Sequence, residues 1–264
     1  MKIWYQSFTV LDDVGPYFQT LRRHLEGQAS PGTQLDYHGM ANGTYPTSYP
    51  GTHIGYTYLA GLHKNQFIDN ALRAAREGYD AVMIATIPDT GFEEVRTLID
   101  IPVVAYGNAS VAYAATLGPK VGIVNFIEAL QDQLRRNMIL YGFGDLVGPI
   151  VSIEREFGDV LKGYEDPKAL KEAFVAAARR AIEQGAKVIV PGEGPLNVLL
   201  AAHGVTRVDD IPVIDSLGVT LATCEDRVRR YQRTGLYPAR KGFYFARPDE
   251  ESVQHVRSHY FGER

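Results

Sequence analysis

The stretch GAKVIVPGEGPLN, residues 185–197, decides the fold because it echoes an earlier stretch, GYDAVMIATIPDTG, residues 78–91. Each begins with a glycine that follows an alanine- and arginine-rich segment of helical character. Gly78 and Gly185 therefore suit the residue that closes a helix. In each stretch an apolar run then leads into a turn rich in Gly, Pro and Asp or Glu, as expected where a buried strand ends.

The spacing of residues beyond the two glycines supports a true repeat. Thr86 lies eight residues after the first glycine, and Glu193 lies eight residues after the second. The tetrapeptide DIPV follows in both halves, at residues 100–103 and 210–213. Equal spacing on both sides of a matching tetrapeptide indicates two similar units rather than two unrelated strand–helix pairs.

Short apolar runs alternate along the chain with longer segments of helical period. The predicted strands are Lys2–Gln6, Gln34–His38, 81–85, Val103–Ala105, Val121–Asn125, 150–153, 188–190 and 212–214. The predicted helices are 17–26, 65–77, Phe92–Leu98, 109–117, 128–141, 167–184, 196–203 and 217–234. This alternation is typical of parallel sheets with helices on both faces. The strands are apolar at consecutive positions, as expected when both sheet faces are covered.

We therefore predict an α/β fold of two pseudo-symmetric, flavodoxin-like lobes, each a parallel sheet flanked by helices. The first lobe comprises residues 1–107, and residues 216–264 return to pack on it. The second lobe comprises residues 108–215. We expect the active site in the cleft between the lobes, since clefts of this kind commonly bind small molecules.

The overall composition of the 264 residues is typical of a globular protein, with 45% hydrophobic and 22% charged residues. A net charge of −4 gives no basic face for nucleic acid. The sequence has no apolar run long enough for a membrane span and no apparent signal peptide. The single cysteine, Cys224, rules out an internal disulfide and is expected to be a small core residue. Together these features predict a cytoplasmic protein.

Four turns follow predicted strands, at residues 6–9, 86–90, 125–127 and 192–197. In open parallel sheets, ligands bind beyond the carboxyl ends of the strands. If the lobes face each other, these four turns converge on one cleft.

The two repeated turns carry their own helix-start signals. Thr90 with Glu93 fits a capping box, and the N–H groups of the helix that it starts would attract an anion. Pro195 suits the first position of a helix. Gly192 and Gly194 allow a close approach of the backbone to a ligand.

Familiar cofactor and nucleophile motifs are missing from the sequence. The segment GEGPLN matches the first half of a dinucleotide-binding motif but lacks its last glycine. No phosphate-binding loop, no HExxH spacing and no G-x-S-x-G turn occur. We expect neither a cofactor nor a metal.

The segment AVMIATIPDTGFEEVRTLIDIPVVAYGNAS, residues 81–110, resembles the aspartate/glutamate/hydantoin racemase superfamily. The general layout is similar from KIWYQSF, which begins at Lys2, through DIPVIDSLG, which begins at Asp210. The resemblance implies a cofactor-independent enzyme, a small-molecule substrate and a possible homo-oligomer. It also implies two cysteines that face each other across the cleft, each moving a proton at a carbon next to a carbonyl. Those two positions fall on Thr86 and Glu193.

The loss of both cysteines changes the expected chemistry. A threonine hydroxyl does not replace a thiol as an acid or base without strong activation, whereas burial brings the pKa of a glutamate towards neutral pH. We therefore predict Glu193 as a general base opposite Thr86, with a small carboxylate, carbonyl or cyclic amide as substrate. The leading interpretation is an isomerase that transfers a proton as racemases do.

Three alternatives stay open at this point. Glu193 would also serve a hydrolase or lyase, by activating water or abstracting a proton. The protein would be a non-catalytic small-molecule binder if it had kept the cleft and lost the catalysis. Glu193 itself would be structural if it capped its helix or formed an ion pair.

Further residues are predicted to contact the substrate because they stand at strand ends or in the turns. Where the superfamily places contacts to a substrate carboxylate, this chain has Tyr5, Gln6 and Ser7. Asp89 is either a second acid/base or, by preference, a helix cap. His53 lies in a segment rich in Gly, Pro and Tyr that is a candidate lid. The complete set is Tyr5, Gln6, Ser7, Asp89, Asn108, Ser110, Asn125, Gly192, Gly194 and His53.

Overall fold

The protein's structure, a computed structural model, describes residues 1–47, 49–242 and 244–262. Two lobes each contain a parallel sheet, which confirms the predicted α/β fold. The strands of the first sheet are β1 (Lys2–Gln6), β2 (Gln34–His38), β3 (Ala81–Ile84) and β4 (Val103–Ala105). Those of the second are β5 (Val121–Asn125), β6 (Val147–Ser152) and β7 (Val188–Pro191). The first sheet has the order β2-β1-β3-β4 and the second β6-β5-β7, so the same arrangement occurs twice.

Helices cover the sheets. Up to the end of the first sheet they are α1 (Gly15–Gln28), α2 (Gly51–Ile54), α3 (Thr57–Arg76) and α4 (Phe92–Leu98). After it come α5 (Tyr106–Ala114), α6 (Gln131–Leu140), α7 (Phe157–Lys162), α8 (Lys168–Glu183) and α9 (Gly194–Ala202). The chain then forms α10 (Ser216–Thr234) and α11 (Glu250–Phe261). Single 3-10 turns occupy Leu11–Asp13 and Glu128–Leu130.

The two repeated glycines close their helices as predicted. Gly78 follows α3 with φ of 76°, and Gly185 follows α8 with φ of 99°, a region that disfavours other residues. Behind each glycine the chain makes the same pair of hydrogen bonds. Tyr79 N donates to Ala74 O and Gly78 N to Ala75 O, and Ala186 and Gly185 repeat this on α8. This is the Schellman pattern, which turns the chain sharply into β3 and β7.

The predicted strand at 212–214 is largely wrong. In its place β8 (Arg207–Val208) and β9 (Ile211–Pro212) form a short antiparallel pair, and only Val213 bridges to Ile189 of β7. The strand stops there because Asp215 is already the N-cap of α10, where its side chain accepts from Gly218 N. A helix whose N-cap lies two residues after the bridge leaves no room for a longer strand.

Helix bounds differ from prediction mainly in the first lobe and at the end of the chain. The helix expected at 65–77 begins at Thr57, because the Tyr- and Gly-containing run before residue 65 is helical as well. Neither α7 nor α11 was predicted. α11 has no buried residue, and Arg257 ties it to Asp69 of α3.

After the second sheet, α10 packs against β3, β4 and α5. Cys224, on α10, is fully buried in the core as predicted. The domain boundaries at residues 107/108 and 215/216 stay a prediction. No helix in the described parts of the chain is long and apolar enough to cross a membrane.

Candidate active site

A small cavity lies between the lobes, where the turns after β1, β3, β5 and β7 meet. All four predicted turns contribute to its wall, and its volume is about 50 Å³. Four of the predicted site residues line it: Ser7, Thr86, Glu193 and Gly194. A space of this size holds a few water molecules but is far below the roughly 300 Å³ of a typical ligand pocket.

Glu193 extends from the second lobe into the wall of the cavity and is only 6% exposed. Its Oε2 accepts a hydrogen bond from Phe126 N (3.0 Å), and its Oε1 accepts one from Ile127 N (3.1 Å). Glu193 is the N-cap residue of α9, but its side chain makes no capping bond to that helix. The carboxylate therefore crosses to the end of β5, where two consecutive N–H groups fix it.

The environment of Glu193 leaves both of its protonation states accessible near neutral pH. Burial raises the pKa of its carboxyl to about 7, against the opposing effect of the N–H groups of Phe126 and Ile127. Within the described residues no Lys, Arg or His forms an ion pair with it. Each carboxylate oxygen has two lone pairs, so the two N–H bonds leave acceptor capacity for a substrate proton.

Thr86 lines the cavity from the first lobe, immediately after β3 and Ala85. Its carbonyl accepts a hydrogen bond from Asp89 N (2.9 Å), which shapes the turn. Among the described residues, none forms a hydrogen bond with its hydroxyl. The hydroxyl is therefore available to a molecule in the cavity.

Asp89 does not line this cavity, although it belongs to the same turn. Its carboxylate accepts from Gly107 N (2.6 Å) and Asn108 N (2.8 Å), at the start of α5. Asp89 thus caps a helix, but the helix is α5 and not the one that follows it in sequence. Burial raises the pKa of its carboxyl to about 7, despite the two N–H bonds that lower it.

The capping box predicted for α4 is wrong. The N-cap residue is Gly91, at φ of 74°, and no side chain caps the helix. Glu93 instead approaches Arg96, with 3.9 Å between the charged atoms. The turn is tight enough to require Gly91, so Thr90 lies outside the capping position.

The three residues predicted at the end of β1 lie in different environments. Ser7 lines the cavity, and its Oγ accepts a hydrogen bond from Thr9 N (3.1 Å). Gln6 is buried away from the cavity: its Oε1 accepts from Trp4 Nε1 (3.0 Å) and Asn70 Nδ2 (2.9 Å). Tyr5 is fully buried beside Tyr37, with ring centroids 5.2 Å apart.

Asn125 and Gly192 support the Glu193 turn from behind. Asn125 Nδ2 donates to Ile127 O (2.7 Å) and so fixes the loop that presents the two N–H groups. A Cβ at Gly192 would lie 2.7 Å from Asn125 Cβ, so only glycine permits this approach.

The remaining predicted residues lie outside the cavity. Asn108 contributes its backbone N–H to Asp89, and the buried hydroxyl of Ser110 has no partner among the described residues. His53 Nδ1 lies 3.1 Å from His63 Nε2, with the rings nearly parallel.

Sequence reasoning missed the aromatic wall of the cavity. Tyr49 and Phe157 stack with centroids 5.2 Å apart, and Phe157 also stacks on Phe126 at 6.1 Å. Tyr17 contributes from α1. Tyr49 belongs to the candidate lid segment, so a signal existed for it, whereas nothing in the sequence around Phe157 marked a site.

An open groove of about 480 Å³ adjoins the cavity, and both are lined by Ile54 and Pro88. The groove runs between α3, α4 and α6, so it too lies between residues of the two lobes. Asn137 of α6 donates through Nδ2 to Pro88 O (2.8 Å), which ties the Thr86 turn to the second lobe.

Comparison with known proteins agrees with this arrangement. The family model described as Asp/Glu/Hydantoin racemase matches residues 17–224. The chain belongs to this family. The superfamily resemblance read from the sequence is thereby confirmed.

Individual members of the family show how far the similarity extends. A hydantoin racemase from Pseudomonas sp. (strain NS671) is 27% identical over 210 residues, 75% of this chain and 78% of that protein. Another hydantoin racemase, from Paenarthrobacter aurescens, is 28% identical over 172 residues, 64% of this chain and 70% of that protein. The structure of an allantoin racemase from Klebsiella pneumoniae matches with a TM-score of 0.75 and 20% identity, covering 95% of this chain and 94% of the other. This likeness shows the fold.

These relatives support an enzyme of racemase type that acts on a small molecule. They lend no support to the hydrolase and lyase alternatives.

Proposed function

We propose that the protein is a cofactor-independent isomerase that moves a proton at a carbon next to a carbonyl group of a small cyclic amide. One observation supports this above all: a buried carboxylate, Glu193, and a hydroxyl, Thr86, line one cavity from opposite lobes. The names of the relatives, hydantoin racemase and allantoin racemase, point to a cyclic amide or ureide as substrate.

In the proposed step Glu193 is the general base. Its carboxylate takes the proton of the carbon next to the carbonyl, and the electron pair of the broken C–H bond moves into an enolate. The Thr86 hydroxyl donates a hydrogen bond to the oxygen on which charge develops, which lowers the barrier. Return of the proton to the face it left regenerates Glu193 and the starting stereoisomer. If the planar enolate first turns its other face to Glu193, the same proton return gives the opposite stereoisomer.

A pKa of about 7 for Glu193 suits this role. A base is most effective when its pKa lies near the working pH, because it is then both ionised and basic enough to take a proton. The N–H groups of Phe126 and Ile127 hold the carboxylate still, so little reorganisation precedes the transfer.

Deuterium exchange tests the proposal directly. In deuterium oxide near pH 8, the wild-type protein should replace the C5 proton of 5-benzylhydantoin faster than buffer alone, as followed by proton NMR. Glu193→Gln should lower the turnover number at least about 100-fold, the loss expected when a general base is removed. An undiminished rate in this variant would show that Glu193 is not the base.

The matched control is Asp89→Asn. This change neutralises the other buried carboxylate held by two N–H groups, at a position that lines the adjoining groove and not the cavity. Most of the exchange activity should survive in the folded control, which is checked by circular dichroism and thermal melting.

A non-catalytic binding protein is the second candidate. It is favoured by the replacement of both cysteine positions and by the two hydrogen bonds that already hold the carboxylate of Glu193. A hydantoin that raises the melting temperature without exchanging its proton would identify this case.

A further inference from the structure

The charge of the cavity wall is unusual for a site that would bind an anion. Among the described residues that line it, Glu193 carries the only carboxylate, and no Lys, Arg or His is present. The N–H groups of Phe126 and Ile127 would suit a substrate carboxylate, but the side chain of Glu193 already occupies both. The side chain of Glu193 therefore occupies the position in which a substrate carboxylate would otherwise bind.

Apart from the hydroxyl residues Ser7, Thr9 and Thr86, the rest of the wall is mostly apolar or aromatic. Tyr49 from the first lobe and Phe157 from the second stack across the boundary, with ring planes 20° apart. Phe126 continues the stack on the second lobe, so the rings bridge the two lobes beside the carboxylate. Tyr49 is close enough for the charge of Glu193 to contribute to raising the pKa of its phenol, after the larger effect of burial.

The cavity as it stands is too small for a substrate. About 50 Å³ does not admit a substituted five-membered ring, whereas the adjoining groove is roughly of ligand size. If Tyr49 and Phe157 move apart to admit a substrate between the lobes, they lose their mutual contact. A planar or apolar group on the substrate is the natural replacement for it.

We propose that Tyr49 and Phe157 determine specificity as a two-lobed aromatic clamp, which selects uncharged substrates with an aromatic or apolar group on the reacting carbon. This inference rests on the proposed function and names the substrate class within it. A substrate bearing a carboxylate on that carbon would meet the ionised Glu193, and like charges at close range in a buried site repel strongly.

A matched pair of probes tests the selection against charge. 5-(Carbamoylmethyl)hydantoin and 5-(carboxymethyl)hydantoin have nearly the same shape but differ by one negative charge near pH 8. The neutral probe should exchange its C5 proton with a kcat/KM at least about tenfold higher. Equal or faster exchange of the anionic probe would overturn the inference while leaving the proposed function intact.

The aromatic clamp is tested by Phe157→Leu, which stays apolar but cannot stack. It should lower kcat/KM for 5-benzylhydantoin about tenfold while changing that for 5-methylhydantoin by less than about threefold. Phe143→Leu is the matched control, because Phe143 packs in the same lobe without lining the cavity and should leave both values unchanged. Equal losses for the two substrates in Phe157→Leu would overturn the clamp.

Binding separates this inference from the proposed function. If no probe exchanges but the neutral probe alone raises the melting temperature, the specificity stands and the isomerase proposal fails. If neither probe exchanges or stabilises the protein, both fail. In Glu193→Ala the two N–H groups lose their carboxylate, so the carboxymethyl probe should then stabilise the protein where it did not before.

Discussion

The turn after β3 and the turn after β7 each bury a carboxylate, and the two carboxylates look alike. Asp89 and Glu193 both accept hydrogen bonds from two consecutive backbone N–H groups, and burial raises the pKa of each to about 7. They differ in what lies beside them. Glu193 lines the cavity between the lobes, whereas Asp89 lines the adjoining groove and caps α5.

The difference teaches that a raised pKa does not identify a catalytic group. Desolvation raises the pKa of any buried carboxyl, whether or not a substrate reaches it. Position in the turn decides which space each carboxylate lines. Glu193 stands at the place equivalent to Thr86, two residues after its strand ends, while Asp89 comes three residues after Thr86 at φ of 52° and contacts the start of α5.

The largest difference between the two carboxylates is expected in Glu193→Ala with added formate. The variant should lose about 100- to 10,000-fold of the exchange rate, the range expected for a general base. Formate should restore part of the activity, because a small carboxylate fits between the N–H groups of Phe126 and Ile127.

Asp89→Ala serves as the comparison in the same NMR assay. It should retain most of its exchange activity and gain nothing from formate. A formate response in Asp89→Ala, or its absence in Glu193→Ala, would contradict the different roles assigned to the two carboxylates.

The pH dependence of stability should reveal the raised pKa that the buried carboxyls of the two turns share. Both pKa values are raised in the folded state, so folding favours the protonated carboxyls. Stability from this source is present below about pH 4 and is lost as pH rises through about 7. The loss is on the order of 3 kcal/mol per carboxyl in the free energy of unfolding.

Urea unfolding at pH 5 and pH 8 measures this effect. The wild-type protein should be less stable at pH 8, and Asp89→Asn and Glu193→Gln should each show a smaller difference between the two pH values. Asp215 and Glu225 have lowered pKa values and titrate below this window. His38 and His63 have lowered pKa values and add stability as pH rises through the same window, so the test is the comparison with the variants. A variant that loses as much stability as the wild type between pH 5 and pH 8 would refute the raised pKa of its carboxyl.

Glycine substitutions test how closely the backbone packs around the two turns. A Cβ at Gly107 would lie 2.7 Å from Ile87 O and 2.8 Å from Asp89 Oδ2, and one at Gly192 would lie 2.7 Å from Asn125 Cβ. Gly107→Ala and Gly192→Ala should each destabilise the fold by about 1–3 kcal/mol. Gly158→Ala, in α7 with nothing within 4 Å, should be neutral or stabilising in the same urea titration.

The smallest effect should come from the Thr86 hydroxyl. Thr86→Val removes the hydroxyl at nearly constant shape, and the exchange rate should fall about tenfold, equivalent to about 1.4 kcal/mol. Thr86→Ser keeps the hydroxyl and should retain most of the rate. If the valine and serine variants exchange equally fast, Thr86 acts only through its shape.

Much of the fold was predictable because it depends on local signals. The apolar runs before Thr86 and Glu193 and the glycines that close α3 and α8 are visible within single stretches of sequence. The short length of the strand near Val213 was not predictable. It depends on Asp215 starting α10, so that two neighbouring elements compete for the same residues. The start of α3 at Thr57 was missed because tyrosines and a glycine there weaken the helical pattern.

The candidate site was predictable only where a strand end fixes a residue. The strand ends bring Ser7, Thr86 and Glu193 to one cavity, but Gln6 turns inward to Trp4 and Asn70 because adjacent residues on a strand face opposite sides. The partner of the Asp89 carboxylate, the start of α5, depends on tertiary packing. The stacking of Tyr49 on Phe157 joins residues more than a hundred positions apart, and no single-sequence pattern reveals such a contact.

The absence of a thiol from the cavity has a consequence for the conditions under which the site keeps its chemistry. The chain's one sulfhydryl, on Cys224, is fully buried, and burial raises its pKa far above the physiological range. Alkylating reagents and peroxides attack thiolates, and they find none beside Glu193. If Glu193 is the base that we propose, oxidative stress would leave that base intact.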